Sequence, residues 1–185
     1  MKKLMPFLTC LILVCGCASM AQNSSLEKLP DASFSVTIPD GWWKPDYIDK
    51  YLITKDGPLL QYVLIQERPV TRPFKNTSKK IRSEMLPQEA AGIIIDELAS
   101  DRNITNFTVI ENAPAVIDGH DGFRILFSYK NKKGAEFKTL YYGFVRDGIF
   151  YNLRYCAELQ HYFEKDLPAF EQIIASFRLT SGSSG

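Results

Sequence analysis

The run from Gly122 to Cys156 constrains the fold more than any other part of the chain. Phe123, Ile125, Phe127 and Tyr129 alternate with Arg124, Leu126, Ser128 and Lys130, and a period of two is the signature of a strand. "AEFKTLYYGFV" and "GIFYNLRYC" follow across Asn131-Lys132-Lys133-Gly134 and across Arg146-Asp147-Gly148. Both connections carry the glycine that tight hairpins require. Three successive antiparallel strands result. In the last of them Ile149, Tyr151, Leu153 and Tyr155 share one face while Phe150 takes the other. Large apolar groups on both faces mean that both must be covered.

The rest of the chain supplies more strands and the cover. Phe34, Val36 and Ile38 alternate with Ser35 and Thr37 before Pro39-Asp40-Gly41 turns the chain. Residues 50 to 55 and 59 to 67 read as a hairpin across Asp56-Gly57, and 104 to 111 and 114 to 117 as short strands around Pro114. A helix is expected over about 87 to 101, with Pro87 in its first turn and Ala90, Ile93, Ile94 and Leu98 along one stripe. A second runs to Ser176 with Leu167, Phe170, Ile173, Ile174 and Phe177 on one side. Asp166 before Leu167-Pro168 is a start signal, and 160 to 165 offer an earlier, kinked turn. The order β-β-β-α-β-β-β-β-α, rich in hairpins, predicts an α+β fold: an antiparallel sheet of about six to seven strands covered by helices.

Two stretches carry a family resemblance. "FSVTIPDGWW" at the front and "FEKDLPAFEQIIASFRL" at the end resemble the bookends of PsbP-like and DcrB-like domains, and "DGHDGFRI" fits the order of hairpins between them. The resemblance spans Phe34 to Leu179 and implies an α/β/α sandwich, with no shared catalytic residues to carry over. It also implies extrinsic or envelope proteins that bind other proteins. Fold alone does not fix function.

The amino terminus bears on location. Lys2 and Lys3 precede an apolar run from Leu4 to Val14, too short for a bilayer span of roughly 20 helical residues and suited to a signal peptide. Val14-Cys15-Gly16-Cys17 resembles the bacterial lipobox, which implies lipidation of Cys17 and cleavage before it. Residues 1–16 are then a signal peptide, 17–32 the lipidated cysteine and a flexible tether, 33–180 one domain, and 181–185 a frayed tail. Acyl chains at about 0.8 kcal/mol per buried methylene make such an anchor durable. Ala18 after the lipidated position implies, by the same resemblance, the outer membrane facing the periplasm. The rival reading is a eukaryotic secreted chain, with Asn23, Asn76, Asn103 and Asn106 in glycosylation triplets.

Without the signal, Cys17 and Cys156 remain of the four cysteines, which excludes a disulfide scaffold. Twenty bases then face twenty-one acids, a balance that gives no reason to expect nucleic acid. No nucleotide-binding or hydrolase motif occurs, no zinc set is complete, and neither a metal nor a cofactor is expected. His120, in "DGHDG", reads as a base or ligand or, more simply, as part of a solvated turn. His161 could lie near Glu164 across a helical turn. Cys156 lies five residues from His161, but no third residue would orient such a pair.

Two surfaces remain as candidates. Trp42 and Trp43 follow the first strand, where neighbours on an extended segment face opposite ways, so that one of them is free to anchor a partner. The connection from 68 to 85 carries Arg68, Arg72, Lys75, Lys79, Lys80 and Arg82 against Glu84. It reads as a solvated loop or as a contact for an anionic surface. The expectation is a lipid-anchored, non-enzymatic envelope protein that binds another envelope protein or polymer. The alternative is a small-ligand carrier or enzyme with a pocket between sheet and helices, lined by Tyr141, Tyr142, Tyr151 and Tyr155.

Overall fold

The computed structural model describes residues 25–27, 33–46 and 51–180. The expectations for the signal segment, Cys17 and the tail 181–185 therefore concern residues outside the described ones. In chain order the elements are β1 (Ser25–Glu27), β2 (Phe34–Ile38), β3 (Leu52–Ile53), β4 (Gln61–Pro69), α1 (Pro87–Ala99), β5 (Ile104–Ile117), β6 (His120–Asn131), β7 (Glu136–Arg146), β8 (Ile149–Glu158), α2 (Phe163–Ser176) and β9 (Arg178–Leu179). β3-β4-β8-β7-β6-β5 make a six-stranded sheet, and β1-β2-β9 a small three-stranded one. All pairs are antiparallel. β1 lies in the segment read as tether and pairs Ser25 with Ile38.

The hairpins set the register. β7 and β8 close on the pair Arg146 and Ile149, with Asp147 and Gly148 at φ 50° and 74°. β5 and β6 close likewise over Asp118 and Gly119, at φ 47° and 76°. Two successive left-handed residues make the turn whose twist matches its strands, and Asp-Gly tolerates it.

Each sheet face has its own core. On one, Val63, Ile65, Phe144, Leu153 and Tyr155 pack under α2 and β2, meeting Phe163, Phe170, Ile173, Phe177, Phe34 and Val36. On the other, Phe123, Ile125, Phe127, Tyr141 and Phe150 pack under Ala90, Ala91 and Ile94 of α1, together with Ile81. Alternation divides the strands cleanly: Tyr141 and Phe150 go to the α1 side, Leu140 and Tyr151 to the α2 side. This is the expected sheet covered on both faces.

Two elements differ from expectation. The segments 104 to 111 and 114 to 117 form one strand of 14 residues, β5, with register shifts between Thr105 and Thr108 and between Val109 and Glu111. Pro114 does not divide it because β5 is an edge strand, where one side needs no donor. α2 begins at Phe163 and runs through Pro168. Asp166 is thus no cap; it lies buried within the helix, 3.0 Å from Lys55 Nζ.

Candidate functional site

The two tryptophans part as their spacing requires. Trp42 is buried and meets the Tyr155 ring edge-on at 6.3 Å, so it offers nothing to a partner. Trp43 is 45 % exposed. Its backbone bridges Thr54 with N–H···O distances of 2.8 and 2.9 Å, and its indole N–H donates to the Lys55 carbonyl at 3.1 Å. The ring is fixed yet open to solvent. The connection from Thr54 to β4 also carries Leu59 and Leu60, of which Leu59 is 88 % exposed.

The basic connection is not a loose loop. Ile81 is buried and Phe74 half-buried against the α1-side core. Glu97 on α1 accepts from the Asn76 and Thr77 backbone N–H groups and from the Thr77 hydroxyl, each at 2.9 Å. These ties fasten the chain to the helix. Its six bases separate as a result. Lys79 pairs with Asp96, and Arg82 with Glu84 at 2.8 Å. Lys75 and Lys80 stay exposed without an ion-pair partner among the described residues. Arg68 belongs to β4 rather than to the loop. Its guanidinium donates to the carbonyls of Arg72, at 3.1 Å, and Pro73, and lies 4.2 Å over the Phe74 ring.

The histidines do not assemble a catalytic group. His120 opens β6 just past the Asp-Gly turn, stacks on Phe144 at 5.4 Å and meets Arg146 Nη1 at 3.1 Å through Nε2. His161 Nδ1 lies 3.1 Å from Glu158, and Glu164 pairs instead with Lys138. Cys156 is buried, its sulfur 3.3 Å from the Tyr129 hydroxyl. Burial, with Cys156 close by, raises the pKa of Tyr129 and of Tyr62, which keeps both phenols protonated. No group of three or more His, Cys, Asp or Glu able to hold a metal occurs among the described residues.

The four tyrosines of the alternative reading do not share a pocket: strand alternation sends Tyr141 to one face, and the other three pack in or against the core of the other. Tyr155 lies in the α2-side core and donates to the Tyr162 carbonyl at 2.9 Å. Tyr151 contacts the Ser33 hydroxyl at 3.0 Å, and Tyr142 packs on Phe170. Tyr141 alone faces the α1 side. There it lines a cleft of about 270 Å³ between α1, the basic connection and the sheet. Gln66 and Arg68 of β4 and Asn152 and Arg154 of β8 form the floor. Residue spacing missed this cleft. Its signal was present in Gln66 and Arg68 of "QYVLIQER" and in Asn152 and Arg154 of "IFYNLRYC", where two polar residues spaced two apart share one face of each strand.

No protein-family model matches the chain, and no curated protein matches it. Solved structures do. The Ran-binding protein Mog1p of Saccharomyces cerevisiae superposes with a TM-score of 0.57 at 9 % identity, over 88 % of this chain and 98 % of that one. Cyanobacterial PsbP of Synechocystis gives 0.52 at 14 %, over 89 % and 96 %. LpqN of Mycobacterium tuberculosis, described as involved in cell envelope biogenesis, gives 0.55 at 14 %, over 88 % of each. At these identities the likeness is one of architecture, and the architecture is the PsbP/Mog1-like α+β fold.

Proposed function

We propose that this chain is a lipid-anchored cell-envelope protein, held at the outer membrane and facing the periplasm. In this reading its single domain is a non-enzymatic binding or assembly module for another envelope protein or polymer. The address is supported by the lipobox-like Val14-Cys15-Gly16-Cys17. The binding role is supported by the company of the fold, which includes a Ran-binding protein and a protein of envelope biogenesis. One observation carries it furthest: Trp43 is held rigidly by Thr54 and Lys55 while nearly half its surface faces solvent. A preordered aromatic ring loses little entropy on docking, and tryptophan is enriched where truncation hurts binding most.

The anchor and the surface are tested separately. Cys17→Ala is expected to move the protein from the membrane fraction to the soluble one, and intact-mass analysis of the native amino terminus should find diacylglycerol on Cys17. An unmodified Cys17 overturns the anchor. For the surface, cross-linking in intact cells names the neighbours. Trp43→Ala is then expected to weaken capture of the leading neighbour by about 30-fold, the equivalent of a 2 kcal/mol hot spot. Unchanged capture with an unchanged fold removes Trp43 from the interface.

A further inference from the structure

The cleft on the α1 side holds guanidinium groups that no carboxylate pairs with among the described residues. Arg154 lies on β8, an inner strand, directly between Leu64 of β4 and Tyr141 of β7. An arginine in the middle of a sheet is ordinarily paired or solvated. Its Nε is buried and has no hydrogen-bond partner, and the same is true of Arg68 Nε. No ion pair or hydrogen bond engages the Arg154 guanidinium among the described residues. Arg72 lines the same cleft.

Three acids line the cleft, and among the described residues none forms an ion pair with these cations. Glu67 accepts from the Ser33 N–H and hydroxyl at 3.0 and 2.9 Å, and the charge of Glu97 offsets that of Arg72 on Arg68 only in part. Glu97 spends its carboxylate on the Asn76 and Thr77 backbone, and Asp101 accepts from the Asn103 backbone and amide at 2.9 and 2.8 Å. Burial, and then the charge of Arg72, lowers the pKa of Arg68, the direction expected where positive charge lacks a counter-charge. α1 packs on β5, β6 and β7, so the floor over β4 and β8 is left to the connection and stays open. Around the arginines stand the amides of Gln66, Asn76 and Asn152, groups that can donate to and accept from hydroxyls.

We propose that this cleft binds a small polar ligand through an oxyanion, with the Arg154 and Arg68 guanidinium groups holding the anion and the amides holding a hydroxylated body. A phosphorylated or carboxylated sugar has that chemistry. Guanidinium forks match either oxyanion, and about 270 Å³ suits one such unit rather than a polymer. The assignment stands apart from the Trp43 surface and does not depend on the lipid anchor.

The test uses the full chain and the arginine Nε–H resonances. Inorganic phosphate, glucose 6-phosphate and glucuronate are titrated in turn at constant ionic strength, with chloride as control. At least one sugar acid should shift the Arg154 and Arg68 signals saturably, and bind more tightly than inorganic phosphate. The better of the two sugars identifies the oxyanion. Arg154→Gln should weaken that binding roughly tenfold or more, as expected for a charged hydrogen-bonding partner, and Arg146→Gln, beside His120, should not. Should Arg154→Gln unfold the protein, the exposed Arg72→Gln serves instead and should weaken binding several-fold. Shifts that stay linear and match chloride for all three probes overturn the proposal, as does tight binding that neither arginine variant alters.

Discussion

Phe170→Ala is expected to lower the free energy of unfolding by about 3–5 kcal/mol, the range for emptying a buried aromatic site. The ring has no solvent exposure and lies 5.7 Å from the Tyr155 ring and 6.0 Å from that of Tyr142. Neither neighbour can collapse into the space. Tyr155 is held by its bond to the Tyr162 carbonyl, and Tyr142 by pairing within the sheet. Since small domains hold together by only about 5–15 kcal/mol, the denaturant midpoint should fall steeply with little change of slope. Gln172→Ala, on the exposed side of the same helix, should stay within about 0.5 kcal/mol. A Phe170→Ala loss below about 1 kcal/mol would mean that α2 does not seal the sheet.

That helix shows what spacing could and could not reveal. Leu167, Phe170, Ile173, Ile174 and Phe177 announce one stripe, and the stripe does pack on the sheet. Asp166, however, has the residue type and the position of a start signal, before Leu167-Pro168, and is not one. Lys55, 111 residues earlier, draws it into a partly buried pair. A long-range ion pair leaves no local trace in composition. The same holds for β5, where Pro114 reads as a break until the topology places the strand at an edge. Turn chemistry was more legible. The Arg146-Asp147-Gly148 connection needed no tertiary information, because the left-handed angles that Asp147 and Gly148 adopt are ones those residue types tolerate.

The candidate sites were legible in proportion to how locally each was encoded. One of Trp42 and Trp43 had to face outward, and strand geometry alone says so; which one depended on where β2 met the core. The six bases at 68 to 82 looked like one patch only because neighbours in sequence were taken as neighbours in space. Arg68 turns inward on β4, and Lys79 is drawn to Asp96. The cleft needs two strands that are not adjacent in sequence, β4 and β8, whose polar residues meet only through a register of Leu64 with Arg154 and Gln66 with Asn152. Alternation on each strand announces the polar face. The pairing that makes it a site does not appear until the sheet is assembled.

The sheet's tightest demands fall on two glycines, and substituting them is the second large effect. A Cβ at Gly143 would lie 2.5 Å from Phe123 Cζ and 2.9 Å from Phe150 Cε2, and both rings are fully buried with their stacking partners around them. A Cβ at Gly122 would lie 2.4 Å from the Gly143 carbonyl oxygen, which is backbone, and 2.8 Å from Ile117 Cδ1. A ring can tilt, whereas a carbonyl in a ladder moves only with its strand. Gly143→Ala is therefore expected to cost about 1–3 kcal/mol, as overpacking does, and Gly122→Ala at least as much. Gly92 supplies the contrast. It sits in α1 with nothing within 4 Å of an added Cβ, so Gly92→Ala should stabilise by about 0.5–1 kcal/mol through helix propensity. Urea titration of the three variants checks the ordering. If Gly122→Ala proved as harmless as Gly92→Ala, β6 and β7 could not pair in the register that joins Gly122 to Phe144.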